Sequence, residues 1–256
     1  MNRMPEHFDP PQAGNPNQLP IDLHVLPAFI LRAFSGRSGQ VKVHQRARKN
    51  PFKANHYWEG FITKRKWSPD TEEILSKIDS EYAVLAGKYL NLQGPVDPAD
   101  NDALTRFFIS WKLRWRFKQQ PNTDIPLVGI PPDPLAVRAD QANDKDALEK
   151  IEKLGVAYVG SNGVPSRAIF GDQIKLGLIR HTKALKDLGW MSCKTNNPNM
   201  PLLVPDFVDF PYLPFGPVNY FLGLRPDESA GFTSLPDATL RLLVEKKHAD
   251  FYFTLP

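Results

Sequence analysis

A chain of 256 residues with 41% hydrophobic and 23% charged side chains is long enough to bury a full core, and its composition excludes wholesale disorder. The net charge of +4 hides a division: residues 32–66 hold ten basic side chains against one acid, Glu59, and the rest of the chain is net acidic. A single cysteine, Cys193, excludes an internal disulfide. With no leader-like opening and no apolar run near the roughly 20 residues that cross a bilayer, a cytoplasmic protein with no membrane partner is expected.

The 25 prolines, about twice average usage, predict short elements joined by rigid turns. Residues 1–20 contain five of them and few large apolar groups, and read as a disordered or loosely docked tail. A single globular domain is expected over 21–256. Its first helix is predicted from Pro27 to just before Gly36, and the alternation in Gln40-Val-Lys-Val-His44 predicts a strand. Ser68 and Pro69 then open a helix with Asp70, Glu72 and Glu73 at its positive end, and Ile74, Leu75, Ile78, Tyr82, Leu85 and Tyr89 form its apolar stripe.

Asp97, Pro98 and Asp100 open a second helix in the same way, with Leu104, Phe107, Phe108, Trp111 and Trp115 on its buried face. The short Pro-Gly connection predicts that the two pack antiparallel. A polar helix is expected over about 135–154, another over 171–188, extended segments at 190–193 and 218–224, a last helix at about 234–247, and a closing strand at 251–255. Together these predict an α+β fold, mostly helical, with a small sheet of short strands.

Strong catalytic signatures are absent: the sequence holds no P-loop, dinucleotide fingerprint, zinc motif or nucleophile elbow. Val159-Gly-Ser-Asn-Gly163 reads as a turn, since no lysine flanks it. Asp97, Asp100 and Asp102 lack the glycine and distal glutamate of a calcium loop and read as a cap and an acidic first turn. Cys193, beside Met191 and Trp190, reads as a small core residue.

The basic residues are more informative. Arg46, Arg48, Lys49, Lys53, Lys64, Arg65 and Lys66 form a block. The run Trp111-Lys-Leu-Arg-Trp-Arg-Phe-Lys118 adds Lys112 and Arg116 among aromatics. Such interleaving suits phosphate neutralisation and base stacking, but helical spacing puts Trp111 and Trp115 on the core stripe, which favours reading the basic residues as a solvated helix face.

The segment His24-Val-Leu-Pro-Ala-Phe-Ile-Leu-Arg-Ala-Phe34, with Arg32 in its Leu-Arg pair, resembles the opening of the bacterial domain of unknown function 4238 family. The similarity continues through Val41–His44, an aromatic at Tyr57 or Phe61, and Glu72, Leu75, Asp79 and Ala83 of the acidic helix. It extends to Arg114 at the end of the following helix, to Trp190, and to the Thr195-Asn196-Asn197-Pro198 turn. Asn196 stands where the family usually has aspartate, and Asp79 where glutamate is commoner. The family has no settled reaction, so the resemblance bears on fold more than on function.

The positions it brings together, His24, Glu72, Asp79 and Arg114, imply a polar site of hydrolytic type: the histidine as acid or base, the carboxylates orienting it or holding a metal. The structural alternative has His24 capping the first helix, Glu72 serving the helix dipole and Asp79 paired with a lysine. Two readings follow. One is a nucleic-acid-directed protein, nuclease-like or purely binding. The other is a non-enzymatic module that takes an acidic protein or a small anion. Cofactor and metal are left open.

Overall fold

The computed structural model describes residues 9–126, 144–159, 163–195, 197, 201–207, 210–225, 244 and 250–256. Among them the chain forms β1 (Asp22–His24), α1 (Ala28–Ser35), β2 (Val41–Gln45), β3 (Phe52–Ala54), β4 (Ile62–Lys64), α2 (Pro69–Lys88), β5 (Gly94–Pro95), α3 (Pro98–Lys118), α4 (Lys145–Lys153), α5 (Ser166–Ala184), β6 (Gly189–Lys194), β7 (Val204–Pro205), β8 (Tyr212–Pro214), β9 (Asn219–Leu224) and β10 (Phe251–Thr254).

The expectation of a mostly helical domain is therefore corrected. The ten strands make three antiparallel sheets: β1 with β4, a four-stranded sheet in the order β3-β2-β10-β7, and another in the order β5-β6-β9-β8. The protein is mixed, with substantial sheet. Gly94-Pro95, read as a plain turn, is the edge strand β5, pairing with Ser192 and Met191 of β6. A proline is tolerated there because an edge position asks nothing of one side of the backbone.

Two central helices carry the fold. Pro98 sits at the first helical position of α3, and Asp97 caps it, accepting a hydrogen bond from the Ala99 amide at 3.1 Å. Ser68 precedes α2, but its hydroxyl bonds the Thr71 hydroxyl at 2.9 Å and makes no cap bond to an amide. The helices run antiparallel, because rising positions in α2 meet falling positions in α3: Asp79 with Arg114, Glu81 with Arg106, Lys88 with Asp100. Between them Tyr82 and Phe107 stack at 3.8 Å.

Of the predicted stripe on α2, Leu75, Ile78, Tyr82, Leu85 and Tyr89 are buried; Ile74 is exposed. Helix α5 starts at Ser166, five residues before the expected Gly171. Gly171 instead lies inside it, where the helix backbone approaches the Ser68 and Thr71 hydroxyls. Of the expected helix at 135–154, residues 135–143 lie outside the described residues and the rest holds α4, while the expected helix at 234–247 lies outside them except for Val244.

From residue 9 on, the segment read as a loose tail is docked. Leu19 and Asn17 are buried, and the Gln12 and Asn17 side chains donate to Glu149 at 3.1 Å each. One hydrophobic cluster runs from Leu23 in β1 to Phe253 in β10. No helix among the described residues is long and apolar enough to cross a membrane.

Candidate functional site

Four side chains from three elements converge beneath β1. The helical periodicity that buries Phe107, Trp111 and Phe117 also turns Arg114 inward, where its side chain is 1% exposed. Its two terminal nitrogens donate to the two oxygens of Asp79 on α2, each at 2.9 Å. This two-pronged contact is the strongest arrangement open to a guanidinium and a carboxylate.

Burial opposes the charge on Arg114, yet Asp79 and then Glu72 outweigh it and hold the guanidinium above its ordinary value. Burial pushes the Asp79 carboxyl up, and the attraction of Arg114 offsets this only in part. The Glu72 carboxyl is raised for the same first reason. It accepts a hydrogen bond from the Trp67 indole at 2.7 Å and feels both Arg114 and Asp79.

His24, the last residue of β1, completes the cluster. Its imidazole lies within the field of both Arg114 and Asp79. Its Nε2 is buried and has no hydrogen-bond partner among the described residues, which leaves the ring's bond to the His56 backbone to Nδ1. Burial first, then the charge of His56, hold this imidazole below the usual histidine value, so it is neutral at pH 7. His56 stacks beside it at 6.2 Å between ring centroids, and Tyr57 closes a triangle at 6.4 Å from His24 and 4.1 Å from His56.

Of the structural alternatives for these residues, the dipole position of Glu72 is met, and the other two are not. Helix α1 has no side-chain cap, so His24 does not cap it. Asp79 pairs with an arginine, and Glu72 is engaged by an indole as well as lying in the first turn of α2.

The basic block divides. Arg46, Arg48, Lys49 and Lys53 are exposed on the hairpin formed by β2 and β3. The guanidinium of Arg48 lies 4.5 Å from the centre of the Phe52 ring. Lys42 and Lys53 stand directly opposite each other in the strand pairing. Lys64 pairs with Asp22.

Arg65 and Lys66 are corrections: both are buried. Arg65 donates to Glu152 at 2.7 Å, and Lys66 reaches the Gln120 carbonyl. Both pair within the fold and do not extend the exposed surface of the hairpin. In α3, Lys112 is half-buried over the Phe108 and Phe207 rings, Arg116 is exposed, and Lys118 holds the carbonyls of Glu59 and Gly60.

The remaining expected positions have structural surroundings. Arg32 is exposed in the last turn of α1. Trp190 is buried and donates to Thr105 at 3.0 Å. Asn197 is exposed, and Asn196 lies outside the described residues. Burial raises the Cys193 thiol to about 11, which makes it a poor nucleophile. Asp100 holds Lys88 and Tyr89, and Asp102 pairs with Arg106, so neither is left for a cation. Among the described residues no group of three or more metal-binding side chains is found.

Sequence reasoning missed His56 and the Trp67 donor, since a histidine in a loop and a tryptophan before a helix carry no spacing signal. It also missed a second ion cluster, Arg65, Arg167, Glu152 and Asp9, whose members are scattered along the chain. Comparison of the chain with protein families, with curated proteins and with solved structures gives no match in any of the three.

Proposed function

We propose that the chain is a nucleic-acid-directed protein, binding through the β2–β3 hairpin and nuclease-like at the His24 cluster. The observation that carries this reading is the charge on the hairpin. Lys42 faces Lys53 across the strands, Arg48 and Lys49 lie at the tip, and none of the four has an acidic partner among the described residues. Like charges placed directly opposite weaken a sheet. Backbone phosphates would relieve that repulsion, and their released counterions would drive binding.

Two further features support the reading. Tyr57, 61% exposed, follows β3 closely and provides an aromatic face on which an unpaired base stacks. It also touches His24, so a strand held by the hairpin and by Tyr57 arrives at the cluster. There the neutral His24 takes a proton at Nε2 from a water that attacks a backbone phosphorus. The P–O ester bond breaks and the leaving oxygen takes a proton from solvent, while Asp79 offsets part of the charge on the ring against the nearby Arg114. Nε2 is buried in this state, so access requires the groups that cover it to move aside.

Binding to fluorescent single- and double-stranded DNA and RNA at two salt concentrations tests the reading. Affinity is expected to fall steeply with salt. The charge reversals Arg48→Glu, Lys49→Glu and Lys53→Glu should each lower the slope of log affinity against log salt by about one. Incubation with magnesium or manganese follows: cleavage that disappears in His24→Ala makes the protein an enzyme, and binding without cleavage makes it a binding module. Failure to bind at low salt overturns the reading and leaves the hairpin as a dock for an acidic protein or a small anion.

A further inference from the structure

Beside α4 lies a cavity of about 280 Å³, lined by Asp9, Arg65, Lys145, Leu148, Glu149, Tyr158 and Arg167. It is separate from the His24 cluster, and two buried guanidiniums form its wall. Glu152 fixes both through one oxygen, accepting from the Nη2 of Arg65 at 2.7 Å and lying 2.9 Å from the Nη2 of Arg167. The Arg167 Nη2 also donates to the Tyr158 hydroxyl at 2.8 Å, which leaves that phenol's own proton to be donated elsewhere.

Both Nη1 groups turn to Asp9. Arg167 lies 3.2 Å from its carboxylate and Arg65 lies 3.8 Å away, while Lys145 approaches the other oxygen at 3.5 Å. Each of these carboxylate contacts is longer than those made by Glu152, although the Asp9 backbone carbonyl accepts from the Nη1 of Arg65 at 2.7 Å. The Asp9 side chain is 42% exposed, against 8% for Glu152. One carboxylate is thus built in, while the other makes only longer side-chain contacts from a segment whose backbone is held in place.

The backbone at Arg65 supports the same view. Its φ of 40° lies in the left-handed region, which an arginine adopts at a cost, and such strain concentrates at functional positions. The Nε atoms of Arg65 and Arg167 are also buried and have no partner among the described residues.

We propose that this cavity is a binding site for a phosphate monoester, and that the Asp9 carboxylate occupies the place of the phosphate until a ligand displaces it. With both Nη2 groups held by Glu152, the donors that face Asp9 are the Nη1 groups of Arg167 and Arg65, the second shared with the Asp9 backbone carbonyl, the Lys145 ammonium and, through its free proton, the Tyr158 phenol. The several acceptor oxygens and double charge of a phosphate monoester match this set better than one carboxylate does. Leu148 and the ring of Tyr158 line the remaining space, which suits a small apolar or aromatic body attached to the phosphate.

Calorimetric titration of the full chain with phenyl phosphate, and with inorganic phosphate, tests the site. If Asp9 fills it in nine molecules out of ten, then Asp9→Asn tightens binding about tenfold. Lys145→Gln, at a half-exposed position that leaves the buried pairs intact, weakens it several-fold. A chain carrying Lys49→Glu and Lys53→Glu separates this site from the basic hairpin and is expected to bind phenyl phosphate like the parent. The absence of binding in Asp9→Asn overturns the proposal. So does binding that is unchanged by Asp9→Asn and Lys145→Gln, or that is lost with the hairpin charges.

Discussion

Arg114 shows what one buried charge demands of its surroundings. Its guanidinium is out of water and both prongs rest on Asp79, so removing that carboxylate leaves an uncompensated charge in the interior. Breaking a buried pair from one side costs about 3–5 kcal/mol. Because Asp79 retains some contact with solvent, Asp79→Ala belongs near the lower end, about 3 kcal/mol. Replacing both partners by apolar residues of similar size, Asp79→Leu with Arg114→Met, removes charge and countercharge together. The double variant is expected to lose less stability than Asp79→Ala alone, measured by urea unfolding. A double variant that loses as much or more would show that the pair contributes net stability.

At this scale the sequence reading was partial for a physical reason. Residue type announces charge but not its partner. Arg65 and Lys66 looked like the natural end of a basic surface, yet the acid that draws Arg65 inward, Glu152, lies on a helix 87 positions later. His24, Glu72, Asp79 and Arg114 were proposed together through a resemblance, and their spacing along the chain could not show that one salt bridge joins two of them. His56 enters the cluster only because β1 pairs with β4 and brings the intervening loop back over His24.

Helices were legible where local chemistry writes their ends. Pro69 and Pro98 both open helices, and Asp97 makes the expected cap. Strands were less so, since a sheet is a property of distant segments. β2 shows its alternation, but its central partner is β10 at the far end of the chain, and β7 and β8 are too short for any period to appear. β9 is buried at every position, so it shows no alternation at all.

The start of α5 was misplaced because Gly171 looks like a boundary, whereas its missing side chain is what lets α5 approach α2. A Cβ at that position would lie 2.3 Å from the Ser68 hydroxyl and 2.7 Å from that of Thr71. Gly171→Ala therefore trades a helix-propensity gain of about 1 kcal/mol against an overpacking cost of about 1–3 kcal/mol, and a net loss is expected. Gly87, in the last turn of α2, meets nothing within 4 Å at the same position. There the propensity gain stands alone, so Gly87→Ala should stabilise by about 0.5–1 kcal/mol. Opposite signs in parallel denaturation curves are the expected result. Equal signs would mean that the α2–α5 contact yields easily.

Across the whole molecule, the distribution of the core sets how the chain comes apart. The three sheets share no strand, and five helices lie among them, so a division into independent units is conceivable from topology alone. The packing opposes it. The hydrophobic cluster takes in Leu23 of β1, Val43 of β2, Ile78 of α2, Leu104 of α3, Ile174 of α5, Phe221 of β9 and Phe253 of β10. Tyr82 of α2 meets Phe107 of α3 on one side and Phe221 of β9 on the other, and Phe61, next to β4, meets Phe253 of β10. Each sheet therefore loses buried area when another leaves, which couples their stabilities.

Three buried tryptophans report on different parts of this network: Trp67 before α2, Trp111 within α3 and Trp190 in β6. Variants retaining one of them at a time, with the other tryptophans replaced by phenylalanine, should give urea transitions whose midpoints shift with overall stability yet coincide with the loss of far-ultraviolet circular dichroism in the same variant. A Trp190 signal that is lost at lower urea than the circular dichroism of its own variant would show that the β5-β6-β9-β8 sheet detaches first. The shared aromatic contacts would then bind the two halves more weakly than each half is bound within itself.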